Sequence, residues 1–474
     1  MARAAETRTA DRPARHPSTE TAARLARSAA AAEGAEEVPG WLADRRRAGT
    51  FRVERIPFDR LEKWHTEAGT GDLVHETGRF FAIRGLEVRE EDGRTWSQPI
   101  ICQPETGILG ILAKEFDGVL HFLMQAKMEP GNIGTIQLGP TVQATRSNYT
   151  RVHQGLATPY IEYFLAAGRG TVLTDVLQSE QGDSFLRKRN RNLVVEVTGE
   201  VEVRPDWRWL TLGQIHQLLA VDNLVNMDAR TVLSSLPLRP PAAGSATDPG
   251  HAEDAEGVHS DTEVLSWLNE LKTQQGAGTT LVPLDRVDRW RRTETEIAHT
   301  ERRHQRVVAV SVVAGNREVT RWTQPLLAAE RTGLAALVVR PSPAGPQLLL
   351  QGLSQPGTFD AVELAPTVQC VSDGFSDLPE PVPFLDLVLA APPERVLYSA
   401  VLSEEGGRFF RRANRYLITA AGEDFPAELP DRYRWVTADQ VQRFIQFGNH
   451  FTVEARTLVT CLGSLRDRGA RWSA

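Results

Sequence analysis

Cysteine is scarce in this chain of 474 residues: Cys102, Cys370 and Cys461 are the only three, far apart and without a paired spacing such as C-x-x-C. That excludes a sequence-evident disulfide framework or zinc knuckle and suits a reducing cytoplasm. Long apolar runs are missing as well. No stretch of 18 apolar residues occurs, so no membrane contact is expected. The opening MARAAETRTADRPARHPSTE mixes Ala, Arg, Thr and Glu without an apolar h-region and reads as a disordered tail over residues 1–40. A basic surplus is the third absence. Lys and Arg number 54 against 61 Asp and Glu, a net charge of −7, which supplies solubility but no footprint for a polyanion, so nucleic acid is disfavoured as a partner. The only Gly-x-Gly near a strand, Gly168-Arg-Gly170, lacks the rest of a dinucleotide fingerprint.

What the sequence does contain is itself, twice. Trp41-Leu42 returns as Trp267-Leu268, a shift of 226 residues that also carries Pro57, Asp59, Arg60 and Trp64 onto Pro283, Asp285, Arg286 and Trp290. Trp96-Ser-Gln-Pro99 falls on Trp322-Thr-Gln-Pro325, and Gln137 to Gln143 falls on Glu363 to Gln369. After a two-residue deletion, Glu180 meets Glu404 and Arg187, Asn190 and Arg191 meet Arg411, Asn414 and Arg415; the first register then returns for Asn223 with Asn449 and for Ala229-Arg-Thr231 with Ala455-Arg-Thr457. Chance does not hold one register over so many Trp, Pro and Asn matches. The expected organisation is a tail (1–40), a first module (41–236), a Pro/Gly/Ala-rich linker (237–261), a second module (262–465) and a short C-terminal tail (466–474).

Within each copy a helix comes first, clearest where Val264, Trp267, Leu268 and Leu271 follow helical spacing behind Ser260 or Asp261 as cap. Strands are expected over Phe80 to Val88, Pro99 to Gln103, Ile108 to Leu112, Val119 to Gln125, Thr135 to Leu138 and a long ribbon from Asn192 to Val203, with helices at Leu212 to Val221 and Met227 to Leu236. Strands dominate early and helices late, without the strict alternation of a doubly wound sheet, so each module is α+β with a mixed sheet.

Both copies must fold, so shared residues mostly report scaffold and polar residues found in one copy alone are candidates for chemistry. His121, Lys127 and Glu129 become Gln347, Leu353 and Gln355. The loop Ala144-Thr-Arg-Ser-Asn-Tyr-Thr-Arg-Val-His153 becomes Cys370-Val-Ser-Asp-Gly-Phe-Ser-Asp-Leu-Pro379, and Tyr160, Tyr163 and Ser184 become Phe384, Leu387 and Arg408. A loop with Thr145, Arg146, Ser147, Asn148 and Tyr149 suits a nucleoside diphosphate: Arg bonds phosphate oxygens bidentately, the hydroxyls and amide add donors and acceptors, and Tyr offers a flat face to a base. Arg187-Lys188 could contact phosphate too, although the basic run persists in the second copy and reads equally as a solvated turn. Trp64 and Trp290 divide between core packing and stacking on the nucleotide.

At Trp96 to Pro104, Gly107 to Gly110, Gly118 to Asn132, Gln137 to His153, Tyr160 to Phe164 and Phe185 to Asn192, the sequence resembles the NDP-hexose 2,3-dehydratase family, over nearly the whole chain from Trp41 to Leu465. The resemblance implies a tandem repeat of two Nudix-like modules with mixed β-sheets, a homodimer, a cytoplasmic enzyme of antibiotic deoxysugar biosynthesis, and dTDP-4-keto-6-deoxyglucose as substrate, with the product passed to an NADPH-dependent 3-ketoreductase. It implies no cofactor and no metal, and the Arg-Glu-x-x-Glu-Glu cluster of a Nudix hydrolase is not present in the sequence.

The chemistry follows from the ketone. A C4 carbonyl makes the C3 proton acidic, so the enzyme needs a base near C3, a donor for the enolate oxygen and an acid for the departing C2 hydroxyl. His153 is the favoured base, since imidazole titrates near neutrality; Lys127, Glu129 and Tyr149 are the other candidate catalytic groups. Expected substrate contacts are Trp64, Thr145, Arg146, Ser147, Asn148, Tyr149, Tyr160, Ser184, Arg187, Lys188 and Trp290. Two rivals are weighed: a non-catalytic nucleotide-sugar-binding protein, which would not need so many titratable groups in one copy, and a metal-dependent nucleotide hydrolase, which would need a carboxylate cluster.

Overall fold

A computed structural model describes residues 19–149, 157–165, 169–236, 259–315, 319–343, 345–371 and 381–467. In each copy a large mixed sheet carries the hydrophobic runs. In the first, Thr171–Ser179, Arg189–Glu196, Gly107–Phe116, Val119–Met128 and Trp207–Thr211 lie side by side, with Ile136–Gly139 and Val142–Ala144 added to the two central strands. Gly107–Phe116 pairs in parallel with Arg189–Glu196 and antiparallel with Val119–Met128. The hairpin joining Gly107–Phe116 to Val119–Met128 turns at Asp117-Gly118, both at positive φ, as a two-residue I′ turn demands. Its register puts Lys127 and Glu129 two residues apart at the far end, on one side of the strand. The second copy repeats this seven-stranded sheet with Gly333–Arg340 beside Ala413–Ala420 and Gln347–Leu353.

The two smaller sheets exchange strands. Phe51–Ile56 of the first copy pairs antiparallel with Arg306–Ala314 of the second, and its counterpart Gly278–Val282 pairs with Ala82–Arg89 of the first. Gly85 lies where that guest strand crosses closest: a Cβ there would meet the Val282 carbonyl at 2.7 Å. Around the exchange a shared apolar core draws Trp64, Leu73, Phe81 and Phe185 from one copy and Leu284, Ile297, Leu327 and Phe409 from the other. Phe185 and Phe409, equivalent residues, meet edge to face at 5.6 Å.

A second reciprocal contact is polar. Arg230, in the helix Met227–Leu233, donates to the carbonyls of Val225 and Ser403, at 2.6 and 2.9 Å. Arg456, in Val453–Asp467, donates to Phe451 and Ser179 carbonyls at 2.5 and 2.6 Å. Each guanidinium also reaches the Thr beside the other, and both are fully buried. Gly131 docks likewise on the second copy, donating to the Gly406 carbonyl at 2.8 Å, and Gly357 on the first, donating to Gly182 at 2.6 Å.

Three expectations need correction. Residues 19–40 are not a tail: Thr19–Ala30 is a helix whose Ala22, Leu25 and Ser28 face the first module. Ser28 donates to the Leu120 carbonyl and Arg24 pairs with Glu196 and Glu115. The Ala- and Arg-rich composition concealed an amphipathic face of small residues, which buries by close approach. The ribbon expected to Val203 ends at Glu196, where its neighbour has reached Ala113 and is about to turn. The linker yields before 261, since Ser260 caps the helix Asp261–Gln274 in a reciprocal capping box with Glu263.

Candidate functional site

Between the first large sheet and the turns of the second copy lies a cleft of about 360 Å³. Its floor comes from strand ends: Gly107 and Leu109, Lys127 with Glu129, Gln143 to Thr145, and Lys188 with Asn190. One wall is aromatic, with Trp64, Phe80 and Phe81 joined by His75. Trp64 packs on Phe81 at 4.7 Å and edge-on to His75 at 5.3 Å. The opposite wall belongs to the second copy: Arg321 to Gln324, Glu405, Gly407 and Arg408. Arg408 lies 4.3 Å over the Phe81 ring and donates to Gln103 Oε1 at 3.1 Å, which holds the two walls together.

Buried charge is concentrated here. Lys127 and Glu129 are both over nine-tenths buried. The Lys127 ammonium donates to the Gln143 carbonyl at 3.3 Å; Glu129 accepts from Gln143 Nε2 at 2.8 Å through Oε1, while its buried Oε2 has no hydrogen-bond partner. Lys188 donates to the Glu105 carbonyl and to Asn190 Oδ1 at 3.0 Å, and burial pulls its ammonium below the usual lysine range. Burial, with the charges of Glu405 and Glu129 beside it, pushes the Asp228 carboxyl far up. Burial likewise raises Glu405 to about 7. An unsatisfied buried carboxylate among buried ammoniums is costly to a fold on its own account, and such groups mark places prepared for a ligand.

The sequence-derived residues divide. Trp64, Lys127, Glu129, Thr145 and Lys188 come together in the cleft. Ser147 lies just behind it, its backbone N–H and hydroxyl both donating to Glu105. Tyr149, at the end of Arg146–Tyr149, packs half-buried on the apolar cluster around Phe164, and Arg146 is exposed. Neither lines the cleft. Tyr160 is structural: its phenol donates to the Glu202 carbonyl and accepts from the Arg204 N–H, at 2.8 and 3.0 Å. Arg187 is an exposed residue at φ 51° whose N–H docks on the Gly357 carbonyl. Ser184 and Trp290 sit instead at the place in the second copy that corresponds to the cleft: Ser184 accepts from Arg412 at 2.7 Å, and Trp290 donates to the Ser97 carbonyl at 2.9 Å. His153 and the Asn148 side chain lie outside the described residues.

Gln103, Asp228, Glu405 and Arg408 were not anticipated. The same comparison of copies carries a signal for three of them: Gln103 faces Ala329, a polar group lost from the second copy, while Glu405 faces Gln181 and Arg408 faces Ser184, charges gained by it.

The family model described as NDP-hexose 2,3-dehydratase matches residues 35–236 and again residues 261–462. A dTDP-4-dehydro-6-deoxy-alpha-D-glucopyranose 2,3-dehydratase of Saccharopolyspora spinosa is 49% identical over 442 residues, covering 90% of each chain. Proteins of the same description from Streptomyces violaceoruber and Amycolatopsis orientalis are 49% and 46% identical, covering 91% and 96% of this chain and 97% and 96% of their own.

Proposed function

The chain belongs to the NDP-hexose 2,3-dehydratase family, and on that premise we propose that the cleft binds dTDP-4-keto-6-deoxy-D-glucose and eliminates its C2 hydroxyl. The protein is a carbon–oxygen lyase of deoxysugar biosynthesis. Removal of the C3 proton sends its electron pair onto the C4 oxygen; collapse of that enolate expels the C2 oxygen, which leaves as water once protonated. The enol tautomerises to a 3,4-diketo-2,6-dideoxy sugar for a separate ketoreductase. Nothing is oxidised or reduced overall.

The observation that carries the reading is the unpartnered Glu129 oxygen set beside Lys127 under an aromatic wall. In this reading Lys127 stabilises the C4 enolate oxygen, where a buried ammonium acts with little competition from water, and Lys188 and Arg408 face the diphosphate. Trp64 and Phe80 give the thymine or sugar a flat surface. His153 or Glu129 takes the C3 proton. A Nudix-like origin of the modules is supported by their mixed sheets with a parallel central pair, and a homodimer by the family alone.

Incubation with dTDP-4-keto-6-deoxyglucose and no added cofactor tests the function, with the diketone trapped as a quinoxaline. Retention of the C2 hydroxyl overturns it. His153→Asn is expected to abolish deuterium exchange at C3 while leaving dTDP binding intact; unchanged turnover removes His153 from the mechanism.

A further inference from the structure

We propose that Glu405, carried by the second module, is a catalytic residue of the first module's cleft: the general acid that gives its proton to the departing C2 hydroxyl. The inference rests on the dehydratase reading and adds to it a reacting group from the copy that has lost its own.

The first argument is placement. The turn from Glu404 to Arg411 is fixed against the cleft on several sides. Gly131 donates to the Gly406 carbonyl and accepts from the Arg411 N–H, both at 2.8 Å, and Gln324 donates to the Gly407 carbonyl at 2.8 Å. Glu405 is therefore held on a rigid element, as an acid must be to meet one oxygen of a bound sugar. A methyl group built on Gly407 would stand 3.0 Å from Glu405 Oε1 and 3.5 Å from Glu129 Oε1, so the two carboxyl groups converge on one small region of the cleft.

The second argument is what the fold needs there. The preceding residue does the structural work. Glu404 accepts from Asn414, Tyr416 and Gln181, at 2.9, 2.8 and 2.8 Å, just as its counterpart Glu180 accepts from Asn190 at 2.6 Å. At the position of Glu405 the other copy has Gln181, an amide. The backbone thus tolerates a neutral side chain of the same shape, and the carboxyl group of Glu405 is an addition the architecture does not require.

The third argument is charge. The carboxylates facing Glu405 are Glu129, Asp228 and Glu180; the cations are Lys188 and Arg408. Burial and the like charges hold its proton until about pH 7 despite Arg408 and Lys188. A carboxyl group that holds its proton near neutrality can give it to a departing hydroxyl. On elimination Glu405 loses its proton to the leaving oxygen, water departs, and the proton taken from C3 remains on the base until solvent exchange restores both.

Glu405→Gln tests this, with Gln181 as precedent that the fold accepts the amide. Elimination of the C2 hydroxyl should slow by about 100-fold or more, while deuterium exchange at C3 continues and the melting temperature is no lower than that of wild type. Wild type should lose rate as pH rises through about 7, and that dependence should vanish in the variant. A substrate bearing fluorine at C2 supplies the discriminating arm, because fluoride leaves without an acid: the variant should release fluoride at nearly the wild-type rate. Wild-type turnover in Glu405→Gln, or equal slowing of hydroxyl and fluoride substrates, overturns the assignment. If wild type itself leaves the hydroxyl in place, the dehydratase reading fails instead.

Discussion

At corresponding places the two copies treat charge in opposite ways. In the first, Lys188 stays buried with carbonyl and amide partners beside the cleft, and Glu129 leaves an oxygen without a hydrogen bond. In the second, Arg412 stands where Lys188 does and is consumed by its neighbours, with Asp183 at 2.6 Å and Ser184 at 2.7 Å. The aromatic walls differ in the same sense. His304 stacks on Trp290 at 5.9 Å and on Trp96 at 6.4 Å, and burial lowers it to about 4, so the ring is neutral at physiological pH. Phe80 occupies that place in the first copy, edge-on to His75 at 4.4 Å, and lines the cleft. One backbone plan thus yields one place where a lysine and a glutamate oxygen face a cleft and another where the matching arginine is paired and the aromatic wall carries a neutral histidine.

The comparison is tested most severely where the copies are supposed to be equivalent. Gly131→Ala places a methyl 1.5 Å from the Phe409 carbonyl oxygen, and Gly357→Ala one 1.9 Å from that of Phe185. Neither contact can be relieved by a side chain. Each variant should lose about 4 kcal/mol or more, or fail to fold, as read from thermal melts and soluble yield; a harmless Gly357→Ala would show that only one dock matters. Arg230→Met and Arg456→Met come next. Each strands one buried carbonyl in its own copy and one in the other and should cost about 3 kcal/mol, in equal measure if the reciprocity is energetic as well as geometric.

Catalysis should separate the copies. Lys127→Leu and Glu129→Gln install the second copy's own residues, so folding should survive, while kcat falls by about 100-fold or more; retained turnover would move the chemistry elsewhere. The smallest effect expected is in stability against pH. Burial raises Glu454, the counterpart of Asp228, to about 8. A carboxyl raised in the folded state gives stability that is whole below the unfolded value near 4.5 and is lost as pH climbs through the folded one. Between pH 6.5 and 8 the melting temperature should therefore decline, and the decline should be shallower in Glu454→Gln.

The repeat, most strand positions and part of the cleft were legible because they leave one-dimensional traces: a register, alternation, and substitutions confined to one copy. The exchange of Phe51–Ile56 for Gly278–Val282 left none. The two strands hold equivalent places in nearly identical frames, so each fits either sheet, and only the path of the chain in space decides. Glu405 and Arg408 do differ from Gln181 and Ser184 in register, but a reading that assigns each cleft to its own module cannot place them in the first. Tyr160 misled because a phenol lost in the second copy looks like chemistry, whereas here it ties down the loop at Glu202 and Arg204.

The traded strands also bear on how such a gene can change. A redundant copy is ordinarily free to decay or be deleted. Here removal of the second half would take a strand from the first small sheet and one wall from the cleft. The absence of Lys127 and Glu129 equivalents from the second half and its indispensability are therefore compatible. Selection can relax on side chains of residues 262–465 that face away from the first copy's cleft, yet every substitution in them is still judged by the performance of the other half.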